Sequence, residues 1–527
     1  MGIPAYFSHI IKNHNKTLST IDSNFIVHNL YLDSNSIIYD SLYACKDIKN
    51  NFEKELIKTI CQKLHIYIDQ IKPTITTYIA FDGVAPVAKL EQQRVRRMRS
   101  EFISKIESSI INKKPENNWD RTAITPGTEF MENLGNEITS YFKNAKKFNL
   151  QNIIVSTSSE PGEGEHKLFE YIRNNPVKHS NENTIVYGLD ADLIMLSINH
   201  LPVCPNIYLF RETPEFIKQI DSSLDPNKLY KLNIPLLANE IILELNNYQT
   251  IDEEYKKNKI YDYIFLCFFL GNDFMPHIPC INIRTKGINI LMNAYSELFS
   301  NNKLNLTDGK KIYWKNVRKL INYLSDNEKE YYADEYIHRE KMERRKYKST
   351  TTEEKLIKFN SIPTINRNIE KYIDPSSDGW EERYYDKLFH VEYTEDRVKQ
   401  ICHNYLEALE WTFKYYIDGC PNWRWKYNYH YAPLMKDLAK HIPYFDEHYF
   451  NKSTIGKPIH PYIQLSYVLP KSSHKLLPKR IQNIINSNTN IDYNFDFEWA
   501  FCTYFWENHI VSDYINIDTL ENIICIQ

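Results

Sequence analysis

Four short apolar runs in the first part of the chain lead straight into carboxylates, and that repetition limits the fold more than any other feature. Asn29-Leu-Tyr-Leu-Asp33, Thr77-Tyr-Ile-Ala-Phe-Asp82 and Thr184-Ile-Val-Tyr-Gly-Leu-Asp190-Ala-Asp192 each end on an acid. Asn152-Ile-Ile-Val-Ser156 is followed by Glu160-Pro-Gly-Glu163-Gly-Glu165. Runs this short and this rich in β-branched and aromatic residues, separated by helical patterns, read as buried parallel strands. In an open α/β sheet the ligand crevice lies at the carboxyl ends of the strands. The pattern therefore predicts an α/β fold with a mixed, mainly parallel central sheet flanked by helices, and all of these acids facing one cleft. Carboxylates crowded together raise one another's pKa. Bound divalent cations resolve the conflict, and a cluster holding two of them suits phosphodiester hydrolysis.

Helical periodicity fills the gaps, with patterns at Asn51–Gln70, Lys89–Ser109, Glu129–Lys147, Glu165–Asn174 and Leu236–Leu245. The opening Ile3–Ile11 reads as a short helix against the core. Residues 1–300 carry the strand–helix alternation and nearly all the motifs, as a catalytic domain would. Residues 301–370 are expected to form a charged helical linker. The run Arg339–Lys348 within it reads as a solvated helix in preference to a nuclear-localisation signal. Residues 371–527 are expected to form a second, mainly helical region packed against the first and completing its channel.

The formal net charge of the 527 residues is −3, so a nucleic-acid partner must be drawn by a local patch and not by the overall field. Nine Cys with no C-x-x-C pair argue against a zinc ribbon or a disulfide framework and fit a reducing compartment. No signal peptide is recognised, and the strongest apolar run, Tyr263–Leu270, is too short to span a bilayer. The expectation is an intracellular protein, cytoplasmic before nuclear, with no membrane partner.

After Asp82, Gly83 and Pro86 turn the chain into a helix on which Lys89, Gln93, Arg96 and Arg97 share one face. Three cations and an amide beside an acidic cleft would make a socket for a terminal phosphate; a solvated basic helix is the plain alternative. Glu163 and Glu165 flank a helix start, where carboxylates also serve as caps. Gly271-Asn-Asp273-Phe274 adds a further acid or a simple Asn-Asp turn. The aromatic block holding Trp423 and Trp425 suits both core packing and base stacking.

Taken in order, these strings resemble the XRN family of 5′→3′ exoribonucleases. The matching segments are Met1–Pro4, Leu30–Ile38, Asp82–Arg99, Ile124–Phe130, Pro161–Lys167, Tyr187–Leu193, Gly271–His277 and Tyr429–Pro433. They cover both conserved regions of the family, and the form expected is a minimal one, without the large C-terminal extension of the big cytoplasmic members. The resemblance implies a PIN/5′-nuclease-like fold and seven catalytic, metal-binding acids: Asp33, Asp82, Glu163, Glu165, Asp190, Asp192 and Asp273. It implies two Mg²⁺ ions, with Mn²⁺ able to substitute. It assigns Lys89, Gln93, Arg96 and Arg97 to a 5′-monophosphate pocket. The implied activity is processive hydrolysis of single-stranded, 5′-monophosphorylated RNA to nucleoside 5′-monophosphates, as in mRNA decay, by a monomer. Tyr39 stands where the family usually has a base-stacking His, and Val87 where it usually has an Arg. The family's stacking Trp corresponds to Trp423 or Trp425. Two other classes compete: a structure-specific 5′ flap nuclease on DNA, and a non-catalytic protein that binds RNA 5′ ends.

Overall fold

The computed structural model describes residues 3, 5–22, 24–48, 50–111, 119–188, 191–211, 225, 228–249, 251–300, 304–487, 495–512 and 515–525. Seven strands form the main sheet: β1 (Leu18–Thr20), β2 (Asn29–Asp33), β3 (Thr76–Ala80), β4 (Asn152–Ser156), β5 (Thr184–Tyr187), β6 (Ile207–Arg211) and β7 (Tyr230–Asn233). Their order is β1-β7-β6-β5-β2-β3-β4. Strands β4, β3, β2, β5 and β6 run parallel, while β7 is antiparallel to both β6 and β1. The sheet is thus mixed and mainly parallel. Chain order proceeds from β2 toward β4 on one side and from β5 toward β6 on the other. The reversal between β2 and β5 is the place where such a sheet opens a crevice.

Every residue of β2, β3 and β5 is buried, which is why these runs are mainly apolar and do not alternate. Side chains still alternate between two cores. Tyr31, Tyr78, Ala80 and Val186 pack on one face, and Leu30, Leu32, Ile79, Ile185 and Tyr187 on the other. The second face is covered by the helix Phe52–Ile71, which buries Leu56, Ile60, Leu64, Tyr67, Ile68 and Ile71 as one stripe. Glu53 and Glu55 sit in its first turn, where they complement the helix dipole. It ends where Lys72 takes a positive φ of 53°. The short N-terminal helix, Tyr6–Asn13, buries Tyr6, Ile10 and Ile11 as its apolar spacing predicts.

The second part of the chain is mainly helical, with a small antiparallel pair, β8 (Phe495–Glu498) and β9 (His509–Ser512). Its longest helix, Glu395–Ile417, is buried along most of its length. Among the described residues no helix is long and apolar enough to cross a membrane.

The charged stretch before it departs from the expected solvated linker. Helix Trp314–Ser325 buries Trp314, Val317, Leu320, Ile321 and Leu324, and helix Glu328–Glu343 buries Tyr332, Glu335 and Arg339. Arg339 is only 1% exposed and binds Glu370 through two hydrogen bonds of 2.8 and 2.6 Å. Glu370 also accepts from Arg367 at 2.5 Å and from the Phe501 amide at 2.9 Å. Charge density misleads here because the ions neutralise one another inside the packing. Removing one partner of such a pair leaves a buried charge and typically costs ~3–5 kcal/mol. Arg339→Ala is therefore expected to lower stability by about that much, and a denaturant titration reads it. A loss below about 1 kcal/mol would return this helix to the solvated class.

Candidate active site

Register sets the acids level with one another. Asp33 lies opposite Ala80 at the end of β2 and β3, and Ala80 lies opposite Ser156 of β4. Asp82 follows β3 by two residues. Glu163 is the N-cap of helix Gly164–Asn174 after β4, with Glu165 in its first turn. Asp192 lies in the first turn of helix Ala191–Asn199 after β5. Asp190, which completes that pair in sequence, lies outside the described residues.

Two loops must touch for this convergence. The Gly83 amide donates to Gly162 O and the Gly162 amide to Val84 O, both at 2.8 Å. A Cβ on Gly83 would meet Glu160 O at 1.7 Å, so only glycine allows the approach. Gly164 is similarly confined: its Cβ would lie 2.7 Å from Asp33 Oδ1 and 3.4 Å from Asp82 Oδ1.

Carboxylate oxygens of Asp33, Asp82 and Glu165 come within 4.8 Å of one another, and a second group joins Glu163, Glu165 and His166. Burial, then Glu163, Asp33 and Asp82, push the Glu165 carboxyl well above its usual range. Asp82 is raised by burial and Glu163, against a 2.7 Å bond from the Gly164 amide and the nearby Lys89. Burial raises Asp192 to about 6, with Asp273 adding to it. The other acids of the cluster are partnered. Lys89 Nζ lies 2.6 Å from Glu163 Oε1 and 2.5 Å from Asp273 Oδ2. Burial opposes the charge on both sides of this contact, yet the attraction wins, holding Asp273 below and Lys89 above their ordinary values. Converging carboxylates, several of which cannot stay ionised side by side, fit a hard divalent cation, with the His166 nitrogen the one non-oxygen donor of the two groups.

Lys89 therefore parts from the three residues expected to share its pocket. It sits in the first turn of helix Val87–Ile111, closest to the strand ends, where the acids attract its ammonium. One to two turns further, Gln93 and Arg97 share another surface. Arg97 Nη2 donates to Thr125 Oγ1 at 2.8 Å, while Nη1 is buried without a partner, as is Gln93 Oε1. Burial lowers the Arg97 pKa to about 10, Tyr39 counteracting and Arg96 adding to the effect. Tyr39 is 46% exposed beside this pocket.

The two tryptophans separate. Trp425 stacks on Trp411 with centroids 5.6 Å apart and donates to Glu407 at 3.0 Å, as a packed residue does. Trp423 is bound through its backbone, its carbonyl accepting from the Val87 amide at 3.0 Å, which brings it to the start of the Val87–Ile111 helix. Val87 itself is 5% exposed in an apolar cluster with Leu90, Ile459 and Ile463.

Four contributors were not among the expected site residues. Asn35 donates to Asp82 Oδ2 and accepts from the Asp82 amide at 3.1 Å. Gln92 donates to Asp273 Oδ1 at 2.5 Å. Tyr415 donates to Glu163 Oε2 and Tyr416 to Asp192 Oδ1, each at 2.8 Å. Asn35 lies two residues after a strand-ending acid, a position that could have marked it. The tyrosines reach the site from a distant helix that no local pattern connects to it.

Residues 1–213 match the family profile described as XRN 5′-3′ exonuclease N-terminus, and residues 254–374 and 370–499 match the profile described as Xrn1 helical domain. The chain is 29% identical to the 5′-3′ exoribonuclease 1 of Saccharomyces cerevisiae, covering 91% of this chain and 40% of that protein. It is 28% identical to the 5′-3′ exoribonuclease 1 of Schizosaccharomyces pombe over 98% of this chain and 48% of the relative. The 5′-3′ exoribonuclease 2 of Debaryomyces hansenii is 26% identical over 92% and 65%. The chain thus spans less than two thirds of each of these relatives. A solved catalytic core of Rad2 with DNA substrate matches at 15% identity and a TM-score of 0.31, covering 63% of this chain and 78% of that one, too weak a likeness to bear on fold or function.

Proposed function

The chain belongs to the XRN family, and from that premise and the geometry of the cleft we propose that it is a processive, metal-dependent 5′→3′ exoribonuclease. Its substrate is single-stranded RNA bearing a 5′-monophosphate, and its products are nucleoside 5′-monophosphates. A monomer working in the cytoplasm accompanies this reading. The observation that carries it is the Arg97 guanidinium. It is half-buried, with one nitrogen, Nη1, buried and unpartnered, beside Gln93 and on the same helix as the residue that clasps the acidic cluster. A partly desolvated cation of this kind is stabilised by an anion of matching geometry, and a terminal phosphate offers one.

Asp33, Asp82 and Glu165 would hold one divalent ion, and Glu163, Asp192 and Asp273, with Asp190, would hold a second; Mg²⁺ fits and Mn²⁺ can replace it. Such ions supply a lowered pKa for the attacking water and charge neutralisation at the leaving 3′ oxygen. The chain's own residues do the rest. Asn35 and the Gly164 amide fix the Asp82 carboxylate, while Tyr415 and Tyr416 orient Glu163 and Asp192. Arg96, Arg97 and Gln93 would bind the 5′-phosphate and so set its distance from the scissile bond. Tyr39 and Trp423 would flank the first base. A pocket closed around a single phosphate excludes a capped end and a triphosphate by size.

The test uses one RNA labelled at its 3′ end and carrying a 5′-monophosphate, 5′-hydroxyl or 5′-triphosphate, with Mg²⁺ or EDTA. The expected result is loss of the monophosphorylated RNA alone, only with metal and without intermediates. Cleavage indifferent to the 5′ group would favour a flap nuclease or an endonuclease. Selective binding without cleavage would favour an end-binding protein.

A further inference from the structure

Tyr504 and Trp506 form a stacked pair of rings on the surface. Phe505, between them, is buried against Phe359 and against Phe102 of helix Val87–Ile111, with ring centroids 4.7 and 5.8 Å away. Its two neighbours face outward instead. Tyr504 is 38% and Trp506 39% exposed, yet their rings are within 9° of parallel and their centroids 5.4 Å apart. Single exposed aromatics are ordinary and call for no account.

This pair is held in place. The Arg284 guanidinium lies 5.4 Å from the Tyr504 centroid and 5.5 Å from that of Trp506, a cation–π contact with both rings. Glu507 Oε1 grips the same guanidinium at 2.5 Å, while Glu507 Oε2 accepts from the Thr503 and Tyr504 amides at 2.7 and 3.2 Å. Arg99 donates to the Trp506 carbonyl and, at 2.6 Å, to the Asn508 carbonyl. Rings fixed in this way have little freedom left to lose when a third planar group stacks on them. The charge suits a nucleic acid as well. Arg99 bonds neutral oxygens of Trp506 and Asn508, and it shares with Arg284 the one nearby carboxylate of Glu507. The three side chains together keep a positive charge, which attracts a phosphate backbone.

Continuity says which strand would reach the rings. One cavity of about 600 Å³ is lined both by Asp273 of the acidic cluster and by Arg284 and Trp506. Gln92, Val95 and Arg99 supply part of its wall, on the side of their helix turned away from Gln93 and Arg97. A 5′ end held by Gln93 and Arg97 places the scissile bond at the acids, and this cavity continues from there.

We propose that Tyr504 and Trp506 are a stacking platform for a base of the same RNA strand downstream of the scissile bond, reached through the cavity that opens from the acidic cluster. The proposal rests on the reading of the chain as a 5′→3′ exoribonuclease acting on single-stranded RNA. Stacking requires a π-face and no particular base, so the platform is indifferent to sequence. It would keep the remaining strand on the protein each time a nucleotide leaves.

The test measures kcat/KM with Mg²⁺ for 5′-monophosphorylated RNAs of about two to about twelve nucleotides, a span typical of single-strand sites. Wild type should show a step in kcat/KM at the length whose last base reaches the rings. Trp506→Ala should lose that step, falling about 10-fold on the longer RNAs and staying unchanged on the shortest, with Trp506→Phe between the two. Activity on the shortest RNAs also shows that the variant is folded. Phe445→Ala removes an exposed ring that does not line the cavity and should change nothing. An abasic residue walked along the RNA should lower the wild-type value at one position beyond the scissile bond and have little further effect in Trp506→Ala. A loss equal at every length would make Trp506 a support of the fold and overturn the platform. Wild type and Trp506→Ala digesting all lengths alike would overturn it too, while leaving the exoribonuclease reading intact. Release of no nucleotide by wild type would defeat that reading and the platform with it.

Discussion

Glu165→Gln is expected to abolish metal-dependent RNA cleavage while making the metal-free protein more stable. Glu165 belongs to both groups of converging ligands found among the described residues, so its loss weakens both. Metal ions in such sites supply several kcal/mol of charge stabilisation, so the rate should fall roughly 10³-fold or more. The stability effect has the opposite sign. Burial and three neighbouring acids raise the folded-state pKa of Glu165 well above its unfolded value. As pH rises from the unfolded value, the unfolded chain loses the proton before the folded chain does, so folding is progressively penalised until pH passes the folded value. At neutral pH in EDTA the wild type carries that penalty and the Gln variant does not. Thermal melts of the two proteins, with EDTA and with Mg²⁺, check both claims. Wild type should gain Tm on adding Mg²⁺, and the variant should start higher and gain less. A variant that melts lower in EDTA and still responds fully to Mg²⁺ would remove Glu165 from the cation site.

The carboxylates were legible because parallel strands obey a strict rule. A buried strand must be apolar, its chain must leave the sheet at the carboxyl end, and whatever polar residue follows is delivered to the crevice. Asp33, Asp82 and Asp192 follow that rule, and the Gly162–Gly164 turn brings Glu163 and Glu165 to the same edge. Helical periodicity likewise placed Gln93 and Arg97 one turn apart. It could not separate Lys89 from them, since sharing a face says nothing of the depth at which each turn meets the sheet.

What stayed illegible is long-range or compensated. Tyr415 and Tyr416 meet Glu163 and Asp192 across a separation that only tertiary packing closes. Trp423 and Trp425 are two residues apart, yet one is packed against Trp411 and the other lies beside Val87. Arg339 reads as solvent-exposed because its partner, Glu370, lies in another helix. In each case the decisive contact is made by a residue whose proximity no local pattern reports.

Arg97→Ala should erase the distinction between 5′-monophosphorylated and 5′-hydroxyl RNA. The guanidinium keeps one nitrogen on Thr125 and another unpartnered in a buried setting, so a phosphate entering beside Gln93 would meet a pre-positioned donor. Truncating one side of a buried, hydrogen-bonded charge pair typically costs ~2–5 kcal/mol, which is about 30- to several thousand-fold in kcat/KM on the monophosphorylated substrate. Because the phosphate also sets the position of the scissile bond, kcat should fall along with the rise in KM. Activity on 5′-hydroxyl RNA, which makes no such contact, should be nearly unchanged. Arg97→Lys keeps the charge but loses the planar fork and should fall between the two. Stability should hold or rise slightly, since the variant relieves a desolvated cation whose pKa burial has lowered to about 10. Single-turnover kinetics on matched RNAs differing only at the 5′ end measure the ratio directly. If Arg97→Ala slowed both substrates equally, the residue would support the fold of the cleft and the phosphate would have to be read by another group.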